Sequence, residues 1–265
     1  MTVEKGKAMH PTERRDRIMA FLRDAGELTV DQLAARLGVS RETIRRDLTK
    51  LDGEGRLRKY HGGARAVPHT QAPAEQEGPF AIRIGQNIAE KRAIAAAACA
   101  LLQPEDAIFI DTGSTTIMLA EPLAKLPPLV VITNSPQIAA AVAAPGHHKV
   151  FLIGGAYSAD AGESVGPLAL EQIARFRARY AILTIGAIDE GAIMDYDLQE
   201  AEVAKAMIER ADRVIVLADH SKFGRRAVFE IAALSRIETL VTDRPPPESI
   251  AAALRDAGAN VIVCA

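Results

Sequence analysis

Apolar positions in the first quarter of the chain recur at helical spacing in three short stretches. Ile18, Met19, Phe21 and Leu22 fall to one side of a helix that Thr12 would cap and Gly26 would end, glycine being suited to the left-handed position past a helix. DQLAARL follows Thr29 and closes at Gly38. Ser40 then caps RETIRRDLTKL, where Ile44, Leu48 and Leu51 stand at i, i+4 and i+7 and predict a buried stripe with polar residues opposite. After Gly55, RLRKYHGGARAV predicts a short β-ribbon ending at Gly62-Gly63.

Beyond residue 80 the spacing changes. The apolar runs IFID (108–111), LVVIT (129–133), KVFLIG (149–154), YAILTIG (180–186), RVIVLAD (213–219), ETLVTD (238–243) and NVIVC (260–264) predict strands. EKRAIAAAACALL, SPQIAAAVAA, QEAEVAKAMIERA and PESIAAALRDAG predict helices between several of them. Strands apolar on both faces and separated by helices imply an α/β domain with a mostly parallel sheet covered on both sides. Ligands of such sheets sit beyond the carboxyl ends of the strands. Pro68, Pro73 and Pro79 among Gln, Ala and Glu mark a linker. The expected organisation is a small domain over 1–66, a linker over 67–79 and an α/β domain over 80–265.

Charge sharpens that division. Residues 1–66 hold 15 Lys+Arg against 10 Asp+Glu, a net of +5, whereas the remaining 17 basic and 24 acidic residues give −7. A basic first quarter on an acidic remainder is expected where only the first part approaches a polyanion. The composition, 48% hydrophobic and 25% charged, is that of an ordinary globular chain. Neither a run of eighteen uncharged apolar residues nor a secretory signal is evident, so a cytoplasmic protein without a membrane partner is expected. Cys99 and Cys264 form no C-x-x-C pair and no metal-ligand spacing; both are expected as reduced thiols, Cys99 in the core. His147-His148 follows Pro145-Gly146 and is expected at the surface, with no metal.

LTVDQLAARLGVSRETIRRDLTKLDGEGRLRKYHGGA has the layout of a helix-turn-helix, with LGVS as the tight turn. The second helix of that layout enters the major groove, whose width admits an α-helix. The expected DNA-contacting residues are Ser40, Arg41, Glu42, Thr43, Arg45, Arg46 and Lys50 on the helix. Arg56, Arg58, Lys59 and His61 would follow on a basic wing. The alternative is a solvated helix whose arginines pair with Glu42, Asp47 and Asp52. From Thr12 to Ala64, with VSRETIRRDL and the trailing HGGA, the chain resembles the winged-helix domain of the DeoR family of bacterial sugar-metabolism regulators. The resemblance implies a major-groove helix over Ser40 to Leu51.

IFIDTGSTTIMLAEPL carries the second signal. A strand ends at Asp111, and Thr112, Gly113, Ser114, Thr115 and Thr116 lead into a helix. Backbone N–H groups at a helix start, with hydroxyls beside them, suit a phosphate dianion. The loop is neither a Walker A loop nor G-x-G-x-x-G, so nucleotide binding is disfavoured. Asn134, Gly154, Gly155, Gly186, Asp189 and Lys222 stand at other strand ends and suit a sugar phosphate, although Gly154-Gly155 has a plain turn as its alternative.

Residues 80–265 resemble the effector domain of the same family, similar in fold to ribose-5-phosphate isomerase. The resemblance makes Asp111 and Gly113 to Thr116 the phosphate loop and adds Lys91, Glu202 and Lys205, for which surface charge is the alternative. The expected protein is a transcriptional repressor of a sugar-metabolism operon that binds double-stranded operator DNA as a homodimer or homotetramer and answers to a phosphorylated sugar. No cofactor and no catalysis are expected. The alternatives are a sugar-phosphate isomerase using Asp189, Glu200 or Glu202 as base, and a regulator that reads a partner protein.

Overall fold

The structure is a computed structural model that describes residues 14–15, 17–19, 21–22, 26–53, 57–60, 62–66 and 77–264. The chain divides into two compact units, residues 1–72 and 73–265. Thr12, Arg56, His61 and most of the expected linker lie outside the described residues. Residues 77–79, assigned to that linker from the sequence, belong to the second unit, where ion pairs of Glu77 hold them.

In the first unit, residues 14–22 are helical where described and turn Ile18 and Leu22 into the core. Strand β1 (Glu27–Thr29) leads directly into helix α1 (Val30–Leu37). Thr29 closes a capping box with Gln32, and Gly38 ends the helix at φ 63°, in the left-handed region where glycine lacks the Cβ penalty. After Val39 comes α2 (Arg41–Gly53), which buries Ile44, Leu48 and Leu51. Strands β2 (Leu57–Tyr60) and β3 (Gly63–Ala66) form a hairpin, and β1 pairs with β3 to make a three-stranded antiparallel sheet. Gly62-Gly63 therefore falls at the hairpin turn and does not end the ribbon. A Cβ on Gly63 would stand 2.6 Å from Leu28 O and from Tyr60 Oη, so glycine allows the strands to close there.

The second unit is organised on seven parallel strands: β4 (Ala107–Ile110), β5 (Val130–Thr133), β6 (Lys149–Leu152), β9 (Ala178–Thr184), β12 (Ala211–Leu217), β14 (Thr239–Thr242) and β15 (Asn260–Val263). Their order is β15-β14-β12-β9-β4-β5-β6, and every neighbouring pair runs parallel. These are the seven apolar runs of the sequence. Because side chains alternate across a strand, Ile108 and Ile110 enter one core while Phe109 enters the other.

Short α3 (Phe80–Arg83) opens the unit, followed by α4 (Ile88–Cys99). Helices α4, α5 (Thr116–Leu123) and α6 (Pro136–Ala143) cover one face. Helices α7 (Pro167–Ile173), α8 (Leu198–Glu209) and α9 (Glu248–Asp256) cover the other. Two small antiparallel sheets complete the unit, the hairpin β7 (Ala156–Ser158) with β8 (Glu163–Val165), and β10 (Ala187–Ile188), β11 (Ala192–Asp195) and β13 (Phe229–Ala233). Cys99 is buried, which pushes its thiol up to about 12. Among the described residues no helix is long and apolar enough to cross a membrane.

Candidate functional site

In the first unit the outward face of α2 carries Arg41, Glu42, Arg45, Arg46 and Lys50, all exposed, with Ser40 exposed just before it. Ser40 Oγ accepts from Thr43 N at 3.1 Å and lies 2.8 Å from Thr43 Oγ1, so both hydroxyls are engaged in capping the helix. Arg41 pairs with Asp31 at 2.6 Å and Arg46 with Glu42 at 3.3 Å; these exposed pairs are easily exchanged for other anions. Arg45 and Lys50 have no ion-pair partner among the described residues. Asp47 does not pair with the α2 arginines as the alternative reading supposed. It is buried and held by Arg14 at 2.5 Å and Arg15 at 3.3 Å. Asp52 accepts from Lys59 N, and Lys59 Nζ donates to Thr49 Oγ1, so the wing docks on α2 while Arg58 stays exposed.

In the second unit a narrow, nearly filled cleft lies beyond the carboxyl ends of β4, β9 and β12, where the strand order changes direction between β4 and β9. Thr112, Ser114 and Thr115 line it from the loop after β4, and Thr184 lines it from the end of β9. The N–H groups of Gly113, Ser114, Thr115 and Thr116 meet no acceptor among the described residues. Such orphan donors are normal for the first turn of a helix and are available to an anion. Asp111 and Thr116 shape the loop from below. The Asp111 carboxylate accepts from Thr184 N at 2.8 Å, and Thr116 Oγ1 donates to Gly113 O. Burial raises the Asp111 pKa well above the usual carboxylate range, against the Thr184 hydrogen bond that lowers it.

Two cations face this loop, Lys222 and Arg83. Lys222 ends a 3-10 turn, His220–Lys222, that Asp219 caps by accepting from Ser221 N at 2.9 Å. Arg83 is fixed from behind, because buried Lys91 donates to its carbonyl oxygen at 2.6 Å. Asn87 donates to Asp219 at 3.1 Å and ties the two cation-bearing segments together. Burial lowers the Lys91 pKa, with Asp219 opposing the shift.

Carboxyl groups also line the cleft. Burial, reinforced by Asp195 and Glu163, pushes Glu200 up to about 9, so it holds its proton at neutral pH and offers an O–H donor. Asp195 is raised to about 6, chiefly by burial, while its Oδ1 accepts from Tyr196 N at 2.6 Å and Asp197 N at 3.3 Å. Donors, acceptors and cations bordering one cleft suit a ligand with an anionic end and a hydroxylated body.

Several expected residues play other parts. Asn134 is buried behind the loop, where it accepts from Thr112 Oγ1 and donates to Glu163 at 2.8 Å; burial raises Glu163 to about 7. Gly154 hydrogen-bonds Gln172 through its backbone, and Gly155 packs 2.5 Å, measured from an added Cβ, from Val165 O. Gly186 leaves room for the Tyr196 ring. Asp189 closes its own turn by accepting from Gly191 and Ala192 N. Glu202 and Lys205, both half-buried, pair with each other on α8, three residues apart, and do not line the cleft. It is Glu200, offered by the sequence only as an enzymatic base, that lines the cleft. His148 is partly buried, not simply at the surface, and its Nδ1 accepts from Leu129 N. Arg83, Glu77, Asp195 and Thr184 were not anticipated; the carboxylate at the end of β11 was the one available signal, since acidic residues at strand ends tend to face ligands.

The DeoR-like helix-turn-helix domain matches residues 14–70, and the DeoR C terminal sensor domain matches residues 86–244. The chain belongs to the DeoR family. Among relatives of this DeoR-family regulator, the HTH-type transcriptional repressor CsqR of Escherichia coli (strain K12) is 32% identical over 251 residues, covering 94% of each chain. The Glycerol-3-phosphate regulon repressor of the same organism is 30% identical over 257 residues, covering 97% of this chain and all of the relative. A solved ribose 5-phosphate isomerase A from Methanocaldococcus jannaschii has a TM-score of 0.38 at 16% identity, over 52% of this chain and 55% of the isomerase. The DeoR-family regulator thus joins a DNA-reading unit to a sensor built on a parallel α/β sheet.

Proposed function

We propose that this DeoR-family regulator is a cytoplasmic repressor that binds operator DNA as a homodimer or homotetramer and is controlled by a phosphorylated sugar in the sensor cleft. One observation carries the effector reading. Ser114 and Thr115, whose N–H groups are unengaged, and the cations Lys222 and Arg83 border the same cleft. A dianion there gains charge-assisted hydrogen bonds that a neutral sugar does not. Glu200 and Asp195 would meet the sugar hydroxyls. The relative named for the glycerol-3-phosphate regulon supports an effector of this class. On the DNA side, Arg45, Arg46 and Lys50 are read as the main contacts of α2, with Arg58 and Lys59 on the wing; pairing with a second copy supplies the second half-site.

The cleft is read as a binding site and not an active site. An isomerase base must be ionised beside the reacting carbon, and Glu200 keeps its proton up to about 9. The other candidates, Asp189 and Glu202, are engaged in a turn and in an ion pair. Thermal-shift measurements with sugar phosphates and their dephosphorylated parents test the proposal, since binding to the native state raises the melting temperature. Stabilisation by a phosphorylated member alone, with release of operator DNA by the same compound, is expected. Equal stabilisation by sugar and phosphate would place recognition outside the 113–116 loop.

A further inference from the structure

Lys222 and Arg83 are already engaged by a single acid. Arg83 Nη1 meets Glu77 Oε2 at 2.6 Å, and Lys222 Nζ donates to Glu77 Oε1. All three side chains are largely buried, Glu77 at 10% exposure, and Glu77 itself lines the cleft with Ser114 and Thr115. A carboxylate with one oxygen on each cation is a partial copy of a phosphate group. We propose that Glu77 is a built-in anion holding the phosphate position of the cleft, and that a phosphorylated ligand enters by displacing it and thereby loosens the start of the sensor unit. The inference rests on the reading of the cleft as a phosphate site.

The neighbouring groups make such an exchange favourable. Glu77 lines the cleft together with the acids Asp195 and Glu200, so its place depends on the two cations. It takes no hydrogen bond from the loop N–H groups of Gly113 to Thr116. An incoming dianion brings more charge and a third oxygen, and can use those N–H groups as well. Displacement also reaches the chain that arrives from the DNA-reading unit. Glu77 is followed by Gly78, whose carbonyl accepts from Arg83 Nε at 2.9 Å, and by Phe80, whose N–H donates to Asp160 at 3.2 Å. With Glu77 expelled and Arg83 turned to a phosphate, two of the three fastenings of this entry segment are altered.

The test is titration calorimetry of inorganic phosphate into the full-length protein and three variants. An internal competitor multiplies the apparent affinity by the fraction of protein left open, so if Glu77 fills the position about nine-tenths of the time, Glu77→Gln should bind phosphate about tenfold tighter. Glu77→Asp keeps the charge but is one methylene too short to span both cations, and should bind nearly as tightly as Glu77→Gln. Lys222→Gln should lose phosphate binding. Hydrogen exchange in peptides covering residues 77–84 should accelerate when phosphate is added to the unaltered protein.

If Glu77→Gln binds no tighter, or Glu77→Asp behaves as the unaltered protein, the displacement idea is wrong even though Lys222→Gln confirms the cleft. Unchanged binding in Lys222→Gln removes the cleft reading and this inference together. Unchanged exchange over residues 77–84 overturns the loosening of the entry segment.

Discussion

Gly113 and Thr184 are packed so closely that a Cβ on Gly113 would stand 1.9 Å from Thr184 Oγ1 and 2.8 Å from Thr184 Cβ. The neighbour that demands glycine is therefore the end of β9. Gly113→Ala should push the loop off β9, strain the Asp111–Thr184 hydrogen bond and cost about 1–3 kcal/mol of sensor stability, as overpacking does. Chemical denaturation measures the loss. Adding Thr184→Ala should recover part of it, and a Gly113→Ala protein as stable as the original would show that the loop yields freely.

On the DNA-reading unit, Arg45→Ala and Arg46→Ala should each weaken operator binding by roughly 1–3 kcal/mol if the guanidinium reads a base. Lys50→Ala should weaken binding to all sequences alike and lower the salt dependence by about one counterion. Fluorescence anisotropy at several fixed salt concentrations separates the two kinds of contact. Unchanged affinity in both arginine variants would remove them from the interface.

Asp47 calls for a different measurement, because it faces inward. Its carboxylate holds Arg14 and Arg15 against α2, and hydrogen bonds to charged groups contribute about 1.5–3 kcal/mol. Asp47→Ala should lower the stability of the first unit by an amount in that range while operator affinity at low temperature changes little. A drop in affinity without a drop in stability would instead mark Asp47 as part of the reading surface.

Acid groups make the sensor pH-sensitive. Glu200 is raised to about 9, Glu163 to about 7 and Asp195 to about 6, each chiefly by burial. The folded state therefore binds more protons than the unfolded chain above the ordinary carboxylate pKa, and stability falls as pH rises from about 4.5 towards 9. Melting of the ligand-free protein at pH 5, 7 and 8.5 should show this decline. Glu200→Gln, which stays neutral, should flatten its upper part and raise the melting temperature at pH 8.5; an unaltered profile would mean that Glu200 is ionised and solvated.

The sheet was legible because its five inner strands are largely buried, while the half-exposed edge strands β6 and β15 still read as short apolar runs. Helices α4, α6, α8 and α9 were legible for the complementary reason of strong helix formers in long stretches. The strands β7, β8, β10 and β11 were not: two to four residues such as AYS or AI carry no period. β1 was hidden for the same reason, since ELT pairs with β3 only through tertiary closure. The 111–116 loop was legible from residue types alone. Arg83 and Glu77 were not, because nothing local marks a glutamate before a four-residue helix as the shared partner of that helix's arginine and of a lysine far along the chain.

The position of β4 has a consequence for how the protein is made. It lies in the middle of the sheet, yet one of its two neighbours, β9, begins only at Ala178. During vectorial synthesis the β4 edge stays open until that strand leaves the ribosome, whereas the first unit is complete soon after Ala66. Domains fold as units, N-terminal first, as the nascent chain emerges. The DNA-reading unit is thus expected to fold while the sheet of the sensor is still an open half-sheet.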